Sequence, residues 1–229
     1  MKILSVSTTK YEQYLGWFYF VFQMLILPDL LLLITGLMGL QISGTILNVI
    51  FFSVNFLFIA IIFRVFLWES AKHALKKPFR LFITTMIGYA LYWFLNFIVF
   101  YFILIVSPQY QNINDATIDA MAHGYFVPIA LCTIFLVPVT EEVIFRGLIF
   151  HVLFRRSKLL AYAISSAAFS LIHLVSYIGI ISPTNFLIGF IQYLPAGIAL
   201  GYAYEKADSI YAPIMMHMFI NAIGMFAMR

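Results

Sequence analysis

The chain has 229 residues, 64% of them hydrophobic and 10% charged, and carries a formal net charge of +4. Soluble domains lie nearer half apolar and a quarter charged, so this composition excludes a water-soluble globular protein and describes an integral, multi-pass membrane protein. The basic excess sits in short segments between apolar runs, where it sets membrane orientation, and no nucleic-acid partner is expected.

The apolar runs are about 20 residues long, which suits helices crossing a hydrocarbon layer of ~30 Å. The alternation in ~10-residue segments that marks transmembrane strands is not seen. The expected fold is all-α: a polytopic membrane helix bundle of about seven transmembrane helices, forming a single membrane domain over 1–229. The first expected span covers about 14–34 and is interrupted by Pro28-Asp29, which reads as a kink with a hydrated turn. The opening residues lack a signal peptide with a small-residue cleavage site, so this first run is expected to be retained. The second span covers about 45–67, and "WESAKHALKKPFR" after it reads as a basic loop in which His73 is solvated. The third span is 81–106, rich in aromatic residues that read as packing. A polar loop is expected over 107–124, with His123 solvated in it. The fourth span covers about 125–153, with His151 at its interfacial end, and "RRSK" follows. The fifth covers about 159–177 and the sixth about 184–204. "EKADS" reads as a solvated loop before the seventh span, about 210–228.

Lys2, Lys10, Lys72, Lys76, Lys77, Arg80, Arg155, Arg156, Lys158 and Lys206 fall on one side of this topology. The opposite loops, around Gly39, Asn114 and Ser182, carry no Lys or Arg. The positive-inside rule then gives a cytoplasmic N-terminus, with Trp17 and Trp68 near the cytoplasmic interface. Cys132 is the only cysteine, so no internal disulfide is expected.

Within the fourth span, "VPVTEEVIFRGLIF" places Glu141, Glu142 and Arg146 in an apolar run. A charge near a helix centre costs ~2.5–3.5 kcal/mol on insertion scales, so such residues face a protein interior or a wet cavity. Glu142 and Arg146 are four apart and can pair on one helix face. Glu141 points about 100° away and needs a partner from another helix. "FSLIH" offers His173 on the fifth span, and "HMFIN" offers His217 and Asn221 on the seventh. Both histidines are expected on helix walls, at depths that tilt could bring into one layer. A glutamate beside a neutral histidine can hold and deprotonate a water, and His217 with the Asn221 amide can donate to a developing oxyanion. These are the parts of water-mediated peptide hydrolysis without an acyl-enzyme. Phe169 reads as packing that shapes the site.

"EEVIFRG", "FSLIH" and "HMFIN" resemble the EExxxR, FxxxH and HxxxN motifs of the CAAX protease and bacteriocin-processing family, intramembrane glutamic endopeptidases that include the type II CAAX prenyl proteases. The motif-bearing core covers about 125–222. The resemblance implies that Glu141 is the general base acting with His173 on water. It implies that Glu142 with Arg146 supports the site, and that His217 and Asn221 stabilise the oxyanion. It implies no cofactor and no metal, a substrate that is a peptide or a membrane-anchored protein, and a bacterial cell membrane as the location. Pheromone or bacteriocin processing and self-immunity are the roles it suggests.

Three rival readings compete. A catalytically silent membrane scaffold or bacteriocin self-immunity protein of the same fold would have no need of Glu141. A zinc protease could use His173, His217 and a glutamate as three ligands with an open position, although the H-E-x-x-H pair on one helix is missing. A transporter would be expected to show paired discontinuous helices or an inverted repeat.

Overall fold

A computed structural model describes residues 4–227. Lys2 and Met228, which enter the sequence expectations above, lie outside the described residues. Among the described residues there are eleven α-helices and no strands. They are α1 (Lys10–Leu25), α2 (Leu27–Leu37), α3 (Gly44–Ile62), α4 (Arg64–Leu75), α5 (Pro78–Val106), α6 (Ile113–Leu131), α7 (Val137–Glu142), α8 (His151–Phe154), α9 (Lys158–Ile172), α10 (Pro183–Ala207) and α11 (Tyr211–Ala227). Two π-helical stretches, Cys132–Leu136 and Val143–Phe150, join α6 through α8 into one helical run, Ile113–Phe154, kinked at Tyr125.

The helices begin where short polar side chains can cap them. Thr9 forms a capping box with Glu12, and the side chains of Ser43, Asn112, Ser157 and Ser182 accept from backbone N–H groups in the first turns of α3, α6, α9 and α10. Such caps satisfy donors that a helix leaves without an intrahelical partner. Pro28, Pro78 and Pro183 occupy first turns, where their missing N–H costs nothing. α4 has no side-chain cap of its own. Its third residue, Phe66, instead donates its N–H to Glu12 Oε1 at 2.8 Å, while Glu12 Oε2 accepts from Thr9 N at 2.7 Å. One buried carboxylate thus closes the first turns of two helices.

Four helical rods are long and apolar enough to cross a membrane: Gly44–Ile62, Pro78–Val106, Ile113–Phe154 and Pro183–Ala207. α1 and α2 make a fifth if the pair, bent by 59° beside Pro28, is counted as one span. α9 and α11, which carry the histidine motifs, are apolar but shorter. Burial separates the rods into centre and periphery. Half of the α10 window and 44% of that in Ile113–Phe154 are buried, against 11% for α3 and 6% for α5. The central rods are therefore protein-facing and the other two are mostly lipid-facing, as a membrane bundle requires. α10 packs on α5, α9 and α11, and α3 lies along α7.

Several segments expected as loops are ordered and packed. Residues 113–124 are helical, and the expected start of the fourth span survives only as a break at Tyr125 (φ −141°, ψ 45°). Most of "WESAKHALKKPFR" is α4 and the start of α5. In "EKADS", Glu205 is buried and bonded to Lys158 and Tyr162. Asp208 is buried too, and accepts from both the N–H and the hydroxyl of Ser5. His73 faces Asp208 at 3.5 Å instead of standing in solvent. His151 is buried against Tyr204, not interfacial. Polar side chains at helix ends find partners in one another here, which removes the penalty that would otherwise keep them in water.

Close approach of α9 and α10 depends on Gly197. A Cβ built there would lie 2.8 Å from both Cα and Cβ of Ser166, and backbone cannot swing aside as a side-chain tip can. Gly197→Ala should therefore destabilise the protein by about 1–3 kcal/mol, the usual range for overpacking, read as a lowered melting temperature of the purified protein.

Candidate active site

Local backbone chemistry sets the site. Pro138 has no N–H and would break a regular helix. The chain answers with the π-helical stretch Cys132–Leu136 before it, whose closing bond runs from Val137 N to Cys132 O. A second stretch, Val143–Phe150, follows the glutamates and closes from His151 N to Arg146 O. Such wide turns shift helix phase and recur at functional sites. The six residues of α7 between them carry Glu141 and Glu142. Ser165 of α9 donates its hydroxyl to Phe145 O at 2.8 Å, fixing α9 against the second stretch.

Glu142 and Arg146 pair as their spacing predicts, Arg146 Nη1 donating to Glu142 Oε1 at 3.1 Å, and neither side chain is exposed. Arg146 Nη2 donates to Gly197 O at 3.0 Å, and the guanidinium lies 4.6 Å over the Phe169 ring. Glu142 Oε1 also faces His217 Nδ1 at 2.8 Å, a contact that sequence spacing did not suggest. An ionised carboxylate only accepts, so Nδ1 of His217 carries the proton there.

His173 is the C-cap of α9, not a residue on its wall, and a single turn of 3-10 helix (Val175–Tyr177) follows it. Its Nδ1 lies 2.8 Å from Phe169 O. A carbonyl cannot donate, so Nδ1 is the protonated nitrogen and Nε2 of the neutral ring is a bare acceptor. The ring stacks on Tyr193 (4.2 Å between centroids, 21° between planes) and meets Phe169 on another side (4.8 Å). Tyr193 is held in turn by Asn112, Asn114 and Asp115 at the start of α6. This aromatic shelf and its polar anchor were missed in the sequence. No periodicity or motif marks a stacking partner from a different helix.

Both imidazoles turn Nε2 toward Glu141. Glu141 Oε2 lies 3.8 Å from His173 Nε2 and 3.9 Å from His217 Nε2. That oxygen is buried and has no hydrogen-bond partner among the described residues. These separations exceed a direct hydrogen bond, but one water at ~2.8 Å from carboxylate and imidazole would fit between them with an angle of about 85° at its oxygen. Asn221, one turn beyond His217 on α11, donates from Nδ2 to Thr133 O at 2.8 Å. Glu141 and His173 line a cavity of about 550 Å³ that α1, α2, α3 and α6 also line. Among the described residues no group of three His, Cys, Asp or Glu side chains is arranged to hold a metal ion.

Neither the curated proteins nor the solved structures contain a match to the chain. A family model described as type II CAAX prenyl endopeptidase Rce1-like matches residues 123–223. This is a family of proteases, and the matched segment contains Glu141, Glu142, Arg146, His173, His217 and Asn221. Residues 123–223, a little under half of the chain, are thus similar to the type II CAAX prenyl endopeptidase Rce1-like family.

Proposed function

We propose that the protein is an intramembrane glutamic-type endopeptidase that hydrolyses a peptide bond of a membrane-associated or peptide substrate with a water activated by Glu141 and His173. The observation that carries this reading is the convergence of His173 Nε2 and His217 Nε2 on Glu141 Oε2, at 3.8 and 3.9 Å. Glu141 accepts one proton of the water, and Nε2 of His173 accepts a hydrogen bond from the other, which aims the oxygen lone pair at the substrate carbonyl. As the C–O bond forms, negative charge moves to the carbonyl oxygen. His217, held by Glu142 through Nδ1, presents Nε2 to this oxyanion and stabilises it when that nitrogen carries a proton. The second N–H of Asn221 is the other donor, the first being held by Thr133 O. The C–N bond then breaks and Glu141 returns its proton to the departing nitrogen, leaving an amine and a carboxylic acid, which gives up its remaining proton to solvent as it leaves. Glu142 and Arg146 act through His217 and do not touch the reacting atoms.

The lining of the cavity, apolar over most of its area and carrying amide and hydroxyl groups that can meet a peptide main chain, supports a CAAX-like segment, peptide pheromone or bacteriocin precursor as substrate, taken from a bacterial cell membrane. A mechanism without metal is part of the proposal. In membranes carrying Glu141→Ala, an uncut precursor should accumulate that is absent with the wild-type chain, read by comparing the membrane peptidomes. Cleavage by purified protein should persist in a strong chelator. Stoichiometric zinc together with loss of cleavage would replace the glutamic mechanism with a metal one, and an unchanged peptidome would favour a silent scaffold or self-immunity protein.

A further inference from the structure

The buried stripe of α1 is Glu12, Gly16, Tyr19 and Gln23. Glu12 is satisfied by Thr9 and Phe66, and the Tyr19 hydroxyl donates to Asn55 at 2.9 Å. Gln23 differs. It is only 8% exposed, it lines the cavity that holds Glu141, and its carboxamide has no hydrogen-bond partner among the described residues. Its amide opens onto the cavity, so whatever occupies the cavity must supply the hydrogen bonds that the protein does not. The cavity wall is apolar over most of its area, with Phe20, Met24 and Phe52 among its residues and Asn48 and Asn55 as its polar groups on α3, and among the described residues Glu141 is the one carboxylate of the lining. No Lys or Arg lines the cavity among the described residues.

An intramembrane protease must take its substrate in extended form to expose a peptide bond, and extension strips the segment of its helical hydrogen bonds. A carboxamide can donate and accept at once, which matches the N–H and C=O that such a segment presents. An acidic side chain or a free carboxylate would find no Lys or Arg here and would meet Glu141, whereas a cationic one would pair with Glu141 and occupy the proposed base. We infer that Gln23 is a substrate-binding residue whose carboxamide pairs with the main chain of an extended, uncharged peptide segment and sets its position across Glu141. This rests on the proposed hydrolase reading, and it places a specificity determinant outside the family-matched segment.

The test uses the full chain in lipid nanodiscs with Glu141→Gln to prevent turnover. The probe is a capped decapeptide of Ala, Leu and Phe with one photoreactive benzoyl-phenylalanine, and the same peptide N-methylated at alternate amides is the control. Saturable labelling of the cavity is expected, and adding Gln23→Met should raise the half-saturating concentration about tenfold, the scale of one hydrogen bond in an apolar site. The N-methylated peptide should bind both forms equally weakly. Because Gln23→Met removes an unpartnered polar group, its melting temperature should equal or exceed that of the parent. Absence of saturable labelling, equal binding of the unmodified peptide to both forms, or a melting temperature lowered by several degrees would overturn the inference. If the peptide binds with this dependence but is never cut by the wild-type chain, the hydrolase reading fails and the binding role stands. If it is cut equally well by wild type and by Gln23→Met alone, the reverse holds.

Discussion

Glu141→Gln should leave the helical bundle intact and lower peptide hydrolysis by roughly 10³-fold, within the range by which a general base accelerates proton transfer. Gln keeps the size and polarity of the side chain, so packing on α7 is preserved, but an amide cannot take the proton of an attacking water. The prediction is specific because Glu141 Oε2 is the oxygen that both imidazoles face. His173→Ala should cost a similar factor, since it removes the acceptor that orients the same water. The double variant should be little worse than the poorer single, because residues that act on one water as a unit are not additive. Single-turnover cleavage of an internally quenched peptide measures the rates, and circular dichroism with thermal melting checks the fold. Cleavage that survives Glu141→Gln within a few fold would remove the carboxylate from the chemistry. Independent, multiplicative losses in the double variant would mean that Glu141 and His173 do not share a water.

The membrane bundle was legible because two simple rules dominate such chains: backbone groups must be satisfied within helices, and charges are expelled from lipid unless paired. The same rules made Glu142 and Arg146 legible, since their spacing survives into the structure at 3.1 Å. What escaped was set by contacts between distant parts of the chain. Residues 113–124 look polar enough for a loop, yet Asn112 caps them into α6, and Tyr193 and Tyr177 take up their polar side chains. α4 begins on a carboxylate supplied from α1, 54 residues away. The π-helical stretches on either side of α7 change the direction in which its glutamates point, and regular 100° steps cannot foresee that shift. The link from Glu142 to His217 belongs with these: it joins residues 75 apart, and it turns what looked like a supporting ion pair into the group that fixes the proton on the second imidazole.

That double role makes Arg146 the position where a single change should most damage stability. Arg146→Met fills similar volume but leaves Glu142, whose side chain is fully buried, without its guanidinium. Removing one partner of a buried pair typically costs 3–5 kcal/mol, because the remaining charge is uncompensated, and whole domains are stable by only about 5–15 kcal/mol. Loss of the hydrogen bond to Gly197 O and of the contact with the Phe169 ring adds to this. Arg146→Lys should fall between, since a compact ammonium lacks the fork that reaches Glu142 and Gly197 together. The informative comparison is Arg146→Met combined with Glu142→Gln. With neither charge of the pair left, the two neutral residues should recover most of the lost stability, as replacement of buried ion pairs often does. Activity should not return, because His217 would have lost the carboxylate that holds its ring and Nδ1–H in place. Melting and cleavage measured on the three variants separate the two functions of the pair. A double variant that regains cleavage along with stability would show that Glu142 and Arg146 serve the fold alone, and that His217 does not depend on Glu142 for its position.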